Sequence, residues 1–158
     1  MLSEALFLRL AAEFQGFARD LHQQACGVFA SWIAPSNPTV EDVVRKQLVQ
    51  GRELARGNAH PGAIGRDFGR LGFDVWPALA ARDQRTAAHN LTLERLNDAR
   101  NDLAHAEDAR LARLREEGFP LALDTYRRWR GDLDVLAANL DAETAIQLGR
   151  LFDRERPW

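Results

Sequence analysis

The feature that most constrains this chain is the spacing of apolar residues at its start. Leu2, Leu6, Phe7, Leu10, Phe14, Phe17, Leu21, Ala25, Val28 and Trp32 recur mainly at three- and four-residue steps. That spacing puts them on one stripe of a helix of about 30 residues, a length that has to be matched by other helices able to cover the stripe. Ser3 is placed to cap its start, and Pro35 with Pro38 stops it, because proline lacks the amide and restricts the residue before it. No stretch of the chain alternates apolar and polar residues as a half-buried strand requires.

The remaining segments repeat the helical pattern. Thr39 to Asp42 has the form of a capping box with Asp in place of Glu, and it opens a helix with Val40, Val43, Val44, Leu48 and Leu54 on its apolar side that Gly57-Asn58 ends. Residues 57 to 74 hold Gly57, Pro61, Gly62, Gly65, Gly69 and Gly72, spaced too unevenly for a phosphate-binding fingerprint; a loop with a short helix around Ile64 and Phe68 is expected. From Val75 to Glu117 there is no Gly and no Pro except Pro77, which predicts one long helix capped by Asp74. Leu93, Leu96, Leu103, Leu111 and Leu114 fall within about 80° of one another on its wheel. Gly118 and Pro120 end it. A helix with Leu121, Tyr126, Trp129, Leu133, Leu136 and Leu140 follows, and Asp141 is expected to cap a last short helix with Ile146, Leu148, Leu151 and Phe152. The expected fold is all-α, an up-and-down bundle of four principal helices with short additional ones, in a single domain over residues 1–158.

Composition narrows the function. At 158 residues the chain can bury a core without metals or disulfides. Cys26 is the only cysteine, so neither an internal disulfide nor a cysteine-based zinc site can form, and a reducing compartment fits best. No window approaches 18 uninterrupted apolar residues, which argues against a membrane span. Glu4, Arg9 and Glu13 interrupt the apolar residues near the N-terminus where a secretory leader would need a continuous run, so a cytoplasmic location is expected. Net charge is −2, so nucleic acid would have to be met by a local basic patch rather than by the whole surface.

The segment Leu96 to Glu107 is the expected seat of chemistry. Arg100 and His105 are five residues apart, which on a regular helix means about 140° of rotation and 7.5 Å of rise, so the two side chains do not share one face. Arg100 lies on the flank of the apolar stripe, and its neighbours three and four residues away, Leu96, Asn97, Leu103 and Ala104, include no carboxylate. A guanidinium there needs a partner from elsewhere. His105 lies on the polar side, with Asn101 one turn before it and Asp102 and Asp108 three residues to either side.

Arg100-Asn101-Asp102-Leu103-Ala104-His105 resembles the motif of the HEPN superfamily, whose RNA-cleaving members carry Arg, a polar residue, three more residues and then His late in a helical bundle. The resemblance extends to the long first helix. It implies a homodimer in which two copies of the motif form one composite, metal-independent site that cleaves RNA, with no cofactor, as in the toxin of a toxin-antitoxin or defence system held in check by a cognate antitoxin. By the same resemblance His105 does the general acid/base work, Arg100 steadies the pentacoordinate phosphorane, and Asn101 orients His105, giving 2′,3′-cyclic phosphate and 5′-hydroxyl ends. In one branch of that family a tyrosine two positions after the histidine is modified by a nucleotidyltransferase antitoxin. Here Glu107 stands there, so a blocking antitoxin or another control is expected instead.

Other residues are weaker candidates. Arg66 and Arg70, four apart, can form a basic ridge; Arg127 and Arg130, interleaved with Tyr126 and Trp129, have the look of an RNA-contacting strip. Glu13 and Asp20, with His22 near them on the polar side of the first helix, offer an acid to brace Arg100. Arg82 and His89 form a second Arg–His pair, but His89 falls on the apolar stripe, where a core histidine is the commoner reason. His22, His60, His89 and His105 show no four-residue ligand spacing within a helix, so no metal is expected. Trp32, Phe119 and Trp158 mark either an interface or the core. The alternative to an enzyme is a non-catalytic HEPN-like helical module that binds a partner protein or a nucleotide.

Overall fold

A computed structural model of the chain describes residues 2–105, 112 and 114–158. It is all-helical, with no strand among the described residues. Among the described residues lie α1 (Leu2–Ile33), α2 (Pro38–Val49), α3 (Pro61–Gly69), α4 (Val75–Arg82), α5 (Thr86–Ala104) and α6 (Leu123–Leu151), with a 3-10 turn over Glu53–Ala55. Four long elements, α1, α2, α5 and α6, make the bundle, and α3 and α4 are the short additions.

Several boundaries and caps differ from those expected. Ser3 lies inside the first turn of α1, not before it. The cap of α2 is Asn37, whose side chain accepts from the Val40 amide at 3.1 Å with Pro38 in the first helical position, so the Thr39–Asp42 box is not used. That helix ends at Val49; Leu54 belongs to the 3-10 turn, where the buried Asp67 carboxylate accepts from the amides of Glu53 (3.0 Å) and Leu54 (2.8 Å). Asp74 precedes α4 but makes no side-chain capping bond.

The single helix expected over Val75–Glu117 is broken. At Asp83 the side chain turns to accept the Arg85 amide at 2.9 Å, while the Thr86 hydroxyl donates to Leu79 O (3.0 Å) and Asp83 O (2.7 Å). Side-chain bonds of this kind compete with the helical ladder and end it without glycine or proline. The second half, α5, stops at Ala104, and His105 is its C-cap, with φ −100° and ψ 3°. At the other end of the chain the expected short terminal helix is absent: α6 runs unbroken through Asp141, whose carboxylate instead accepts from the Trp158 indole at 3.1 Å. The tail reaches that position by folding back over Gly149, where a Cβ would lie 2.9 Å from Arg154 O.

Ring contacts fix the helix directions. Phe7 meets Tyr126 and Trp129 at one end of α1, and Phe29 and Trp32 meet Phe152 at the other, so α1 and α6 run the same way. Asn139 bonds Asp83 (3.2 Å) and Asp132 accepts from Thr92 (2.9 Å), so α5 runs against α6. Arg52, just past α2, bonds Gln23 and Arg19 O, which sets α2 against α1. The buried apolar residues form one cluster drawn from α1, the 3-10 turn, α3, α4, α5 and α6, with Phe7, Ile64, Phe68, Leu93, Leu96, Trp129 and Leu136 at its centre. Each such side chain contributes about 1.5–3 kcal/mol of transfer free energy. Trp32, Phe119 and Trp158 are partly buried and pack against this core. Leu114 joins it as expected; Leu111 lies outside the described residues.

Candidate functional site

The Arg–polar–x3–His segment occupies the C-terminal end of α5. Leu93, Leu96 and Ala99 anchor the helix in the core, and this leaves Asn101, Ala104 and His105 exposed and Arg100 half-buried. His105 sits where the helix stops, its amide donating to Asn101 O at 3.0 Å. Ala106, Glu107 and Asp108 lie outside the described residues. Asp102 is buried, so it does not flank His105 on the surface.

The external partner that Arg100 needs is Asn58. Nη1 of Arg100 donates to Oδ1 of Asn58 and, at 3.5 Å, to Oδ1 of Asn101; Nδ2 of Asn58 donates to the same Asn101 oxygen at 2.8 Å. Three side chains from two segments thus form one network, and among the described residues no carboxylate enters it. The loop that supplies Asn58 is held against three helices. Gln15 on α1 donates to Gly57 O at 2.5 Å, Asn97 on α5 donates to Ala59 O at 3.3 Å, and His60 caps α3 by accepting the Ala63 amide at 3.2 Å. Asn101 is committed to Asn58 and Arg100, and it reaches His105 only through its backbone carbonyl.

The other nominated residues lie elsewhere. Glu13 pairs with Arg9 at 2.7 Å and Asp20 with Arg19 at 3.1 Å, both on the exposed side of α1, so neither acid is brought to Arg100. Arg66 is held by both oxygens of Glu53, and that pairing keeps the Glu53 carboxyl below its ordinary value. Arg70 donates to the carbonyls of Leu48 (3.2 Å) and Gln50 (2.6 Å). The expected ridge is thus spent on holding the 3-10 turn and the end of α2. Arg127 and Arg130 are exposed on α6, near Asp124 (3.4 Å) and the Tyr126 hydroxyl (3.2 Å) respectively, with Trp129 turned into the core.

His22 is not on a polar face. It is fully buried, its Nε2 donates to Asp67 O at 2.9 Å, and burial lowers its pKa below the ordinary value. Beside it, burial pushes the Cys26 thiol up to about 12, which leaves no thiolate for nucleophilic chemistry. His89 is also buried, 3.8 Å from Asp83. His60 and His105 are therefore the exposed histidines. Among the described residues no cluster of three His, Cys, Asp or Glu is placed to hold a metal ion, and no helix is long and apolar enough to cross a membrane.

Sequence reasoning missed Asn58. It lies in the glycine-punctuated stretch that carries no periodicity, 42 residues from Arg100, so only folding brings the two together. No protein-family model, curated protein or solved structure matches the chain.

Proposed function

We propose that the chain is a metal-independent endoribonuclease of the HEPN type, acting as a homodimer in which the C-terminal ends of two α5 helices meet, and serving as the toxin of a toxin-antitoxin or defence system in the cytoplasm. The observation that carries this reading is the setting of Arg100. It is anchored at the helix end by two uncharged amides, and among the described residues no carboxylate pairs with it, so its orientation is held while its positive charge can meet an anion. Guanidinium groups held this way suit a phosphodiester, with charge-assisted bonds to the non-bridging oxygens. His105 stands exposed five residues on, where an imidazole can reach a substrate.

In the proposed reaction the neutral imidazole of His105 takes the proton of a ribose 2′-hydroxyl as its oxygen attacks the adjacent phosphorus. Arg100 stabilises the charge that builds up on the phosphorane. The 5′-oxygen departs with a proton delivered by the imidazolium of the second copy, leaving a 2′,3′-cyclic phosphate and a 5′-hydroxyl. A two-fold dimer suits this division of labour, because an isologous contact sets the same residues opposite each other.

The test is incubation of the pure protein with total RNA, followed by end-group analysis. Fragments with cyclic phosphate ends from the wild type, and none from Arg100→Ala or His105→Ala proteins of unchanged circular dichroism, are expected. Equal cleavage by all three would refute the assignment. Intact RNA with a dimeric, folded wild type would favour the non-catalytic module that binds a partner protein or a nucleotide.

A further inference from the structure

We propose that Asn58 is the positioning residue of the α5 site, holding the Arg100 guanidinium in place for the phosphate without neutralising it; this rests on the nuclease reading above. Asn58 meets the first two residues of the motif at once, its Oδ1 accepting from Arg100 and its Nδ2 donating to Asn101 at 2.8 Å. An amide can do both from one position, since it carries an acceptor and a donor on one carbon. A carboxylate there would hold Arg100 at least as firmly, but it would pair its charge and offer the incoming phosphate a neighbouring negative charge.

The residue is also well placed to stay put. Its backbone carbonyl accepts the His60 amide at 2.9 Å, Ala59 is buried with its carbonyl bonded to Asn97 at 3.3 Å, and Gly57 O is bonded to Gln15 at 2.5 Å. The loop on either side of Asn58 is thereby pinned to α1, α3 and α5, and the position of the guanidinium follows from the bundle rather than from the arginine's own flexible stem. A side chain with four rotatable bonds loses entropy when it is fixed; prior fixing means that this loss is not taken from substrate binding or from the transition state.

Three proteins, Asn58→Ala, Asn58→Asp and Arg100→Ala, compared with the wild type, test the assignment. Cleavage of a fluorophore–quencher RNA of mixed sequence gives kcat and KM, and nitrogen-15 spectra of the arginine side chains report how Arg100 is held. Asn58→Ala is expected to lower kcat about 10- to 100-fold with little change in KM, the size of effect that misplacing a catalytic group produces. Its Arg100 guanidinium N–H signals should broaden into solvent exchange. Asn58→Asp, nearly the same shape, should keep those signals sharp and still lose activity, because the charge is cancelled; a purely structural tether would predict rescue by this variant. Full activity of Asn58→Ala while Arg100→Ala is dead, or Arg100 signals indifferent to Asn58→Ala, would overturn the role of Asn58 and leave the nuclease reading standing. A wild type that leaves the RNA intact overturns the nuclease reading, and this role with it.

Discussion

An arginine and a histidine lie near each end of α5, Arg82 at the end of α4 with His89 in the first turns of α5, and Arg100 with His105 at its C-terminal end, and their surroundings are opposite. At the N-terminal corner Arg82 lies 3.7 Å from Glu143, whose side chain is 8% exposed, and bonds Asn139; His89 is buried 3.8 Å from Asp83, which itself accepts from Asn139. The groups there face carboxylates of the same chain. At the C-terminal end the partners of Arg100 among the described residues are amides, and His105 faces outward. Helical spacing already put His89 on the apolar stripe, and what each arginine is set against separates the two pairs in space. A cation next to a buried carboxylate is holding the fold together, while one oriented by neutral acceptors keeps its charge for something that arrives.

That contrast can be broken by substitution. The largest expected effect is on cleavage: Arg100→Ala or His105→Ala should lower the rate by about 10²–10⁴-fold, with a melting temperature near that of the wild type, measured by RNA cleavage and by differential scanning fluorimetry. A variant at the other corner should do the reverse. His89→Ala empties a buried site and is expected to cost about 1–3 kcal/mol of stability in urea unfolding, with cleavage per folded molecule unchanged. Loss of cleavage in a fully folded His89→Ala protein would mean that the working pair has been misassigned.

Arg82→Ala leaves the Glu143 carboxylate, among the described residues, with Gln147 donating to it at 2.6 Å, and is expected to cost about 1 kcal/mol because the arginine is itself partly exposed. The smallest effect concerns Asp83. The backbone amide of Arg85 first, with Arg85 and His89 charges adding, holds its carboxyl below the ordinary value of 3.8. A carboxyl lowered in the folded state adds stability above its unfolded pKa, and this is lost as pH falls through the folded value. The melting-temperature difference between wild type and Asp83→Asn should therefore be full near neutrality and shrink as pH falls below 3.8. A difference that grows with acid would show that the carboxylate is not stabilised by this corner.

Much of the bundle was legible from residue order because apolar periodicity is a local signal. Most of the stripe of α1, Leu93 and Leu96 of α5, and Leu133, Leu136, Leu140 and Leu148 of α6 are packed where their spacing puts them, whereas Leu151 is exposed. The breaks were less legible. The turn at Asp83 depends on an Asp side chain and a Thr hydroxyl reaching back to the backbone, and the same residue types occur inside unbroken helices, as Asp141 and Thr144 do in α6. His22 was misjudged because a helix that packs on two sides buries residues off its main stripe: α3 covers the flank of α1 that holds His22 and Cys26.

The sequence by itself determined the all-helical architecture, the apolar faces of α1, α5 and α6, and the Arg–polar–x3–His segment at the end of α5. These follow from periodicity and from residue types near one another in the chain. Only the tertiary structure decided which cations are spent on the fold and which are not. Arg66 with Glu53, Arg82 with Glu143 and Arg100 with Asn58 are pairings across 13 to 61 residues of chain, and electrostatic partnership falls off over a few ångströms of space, a distance that residue order does not encode.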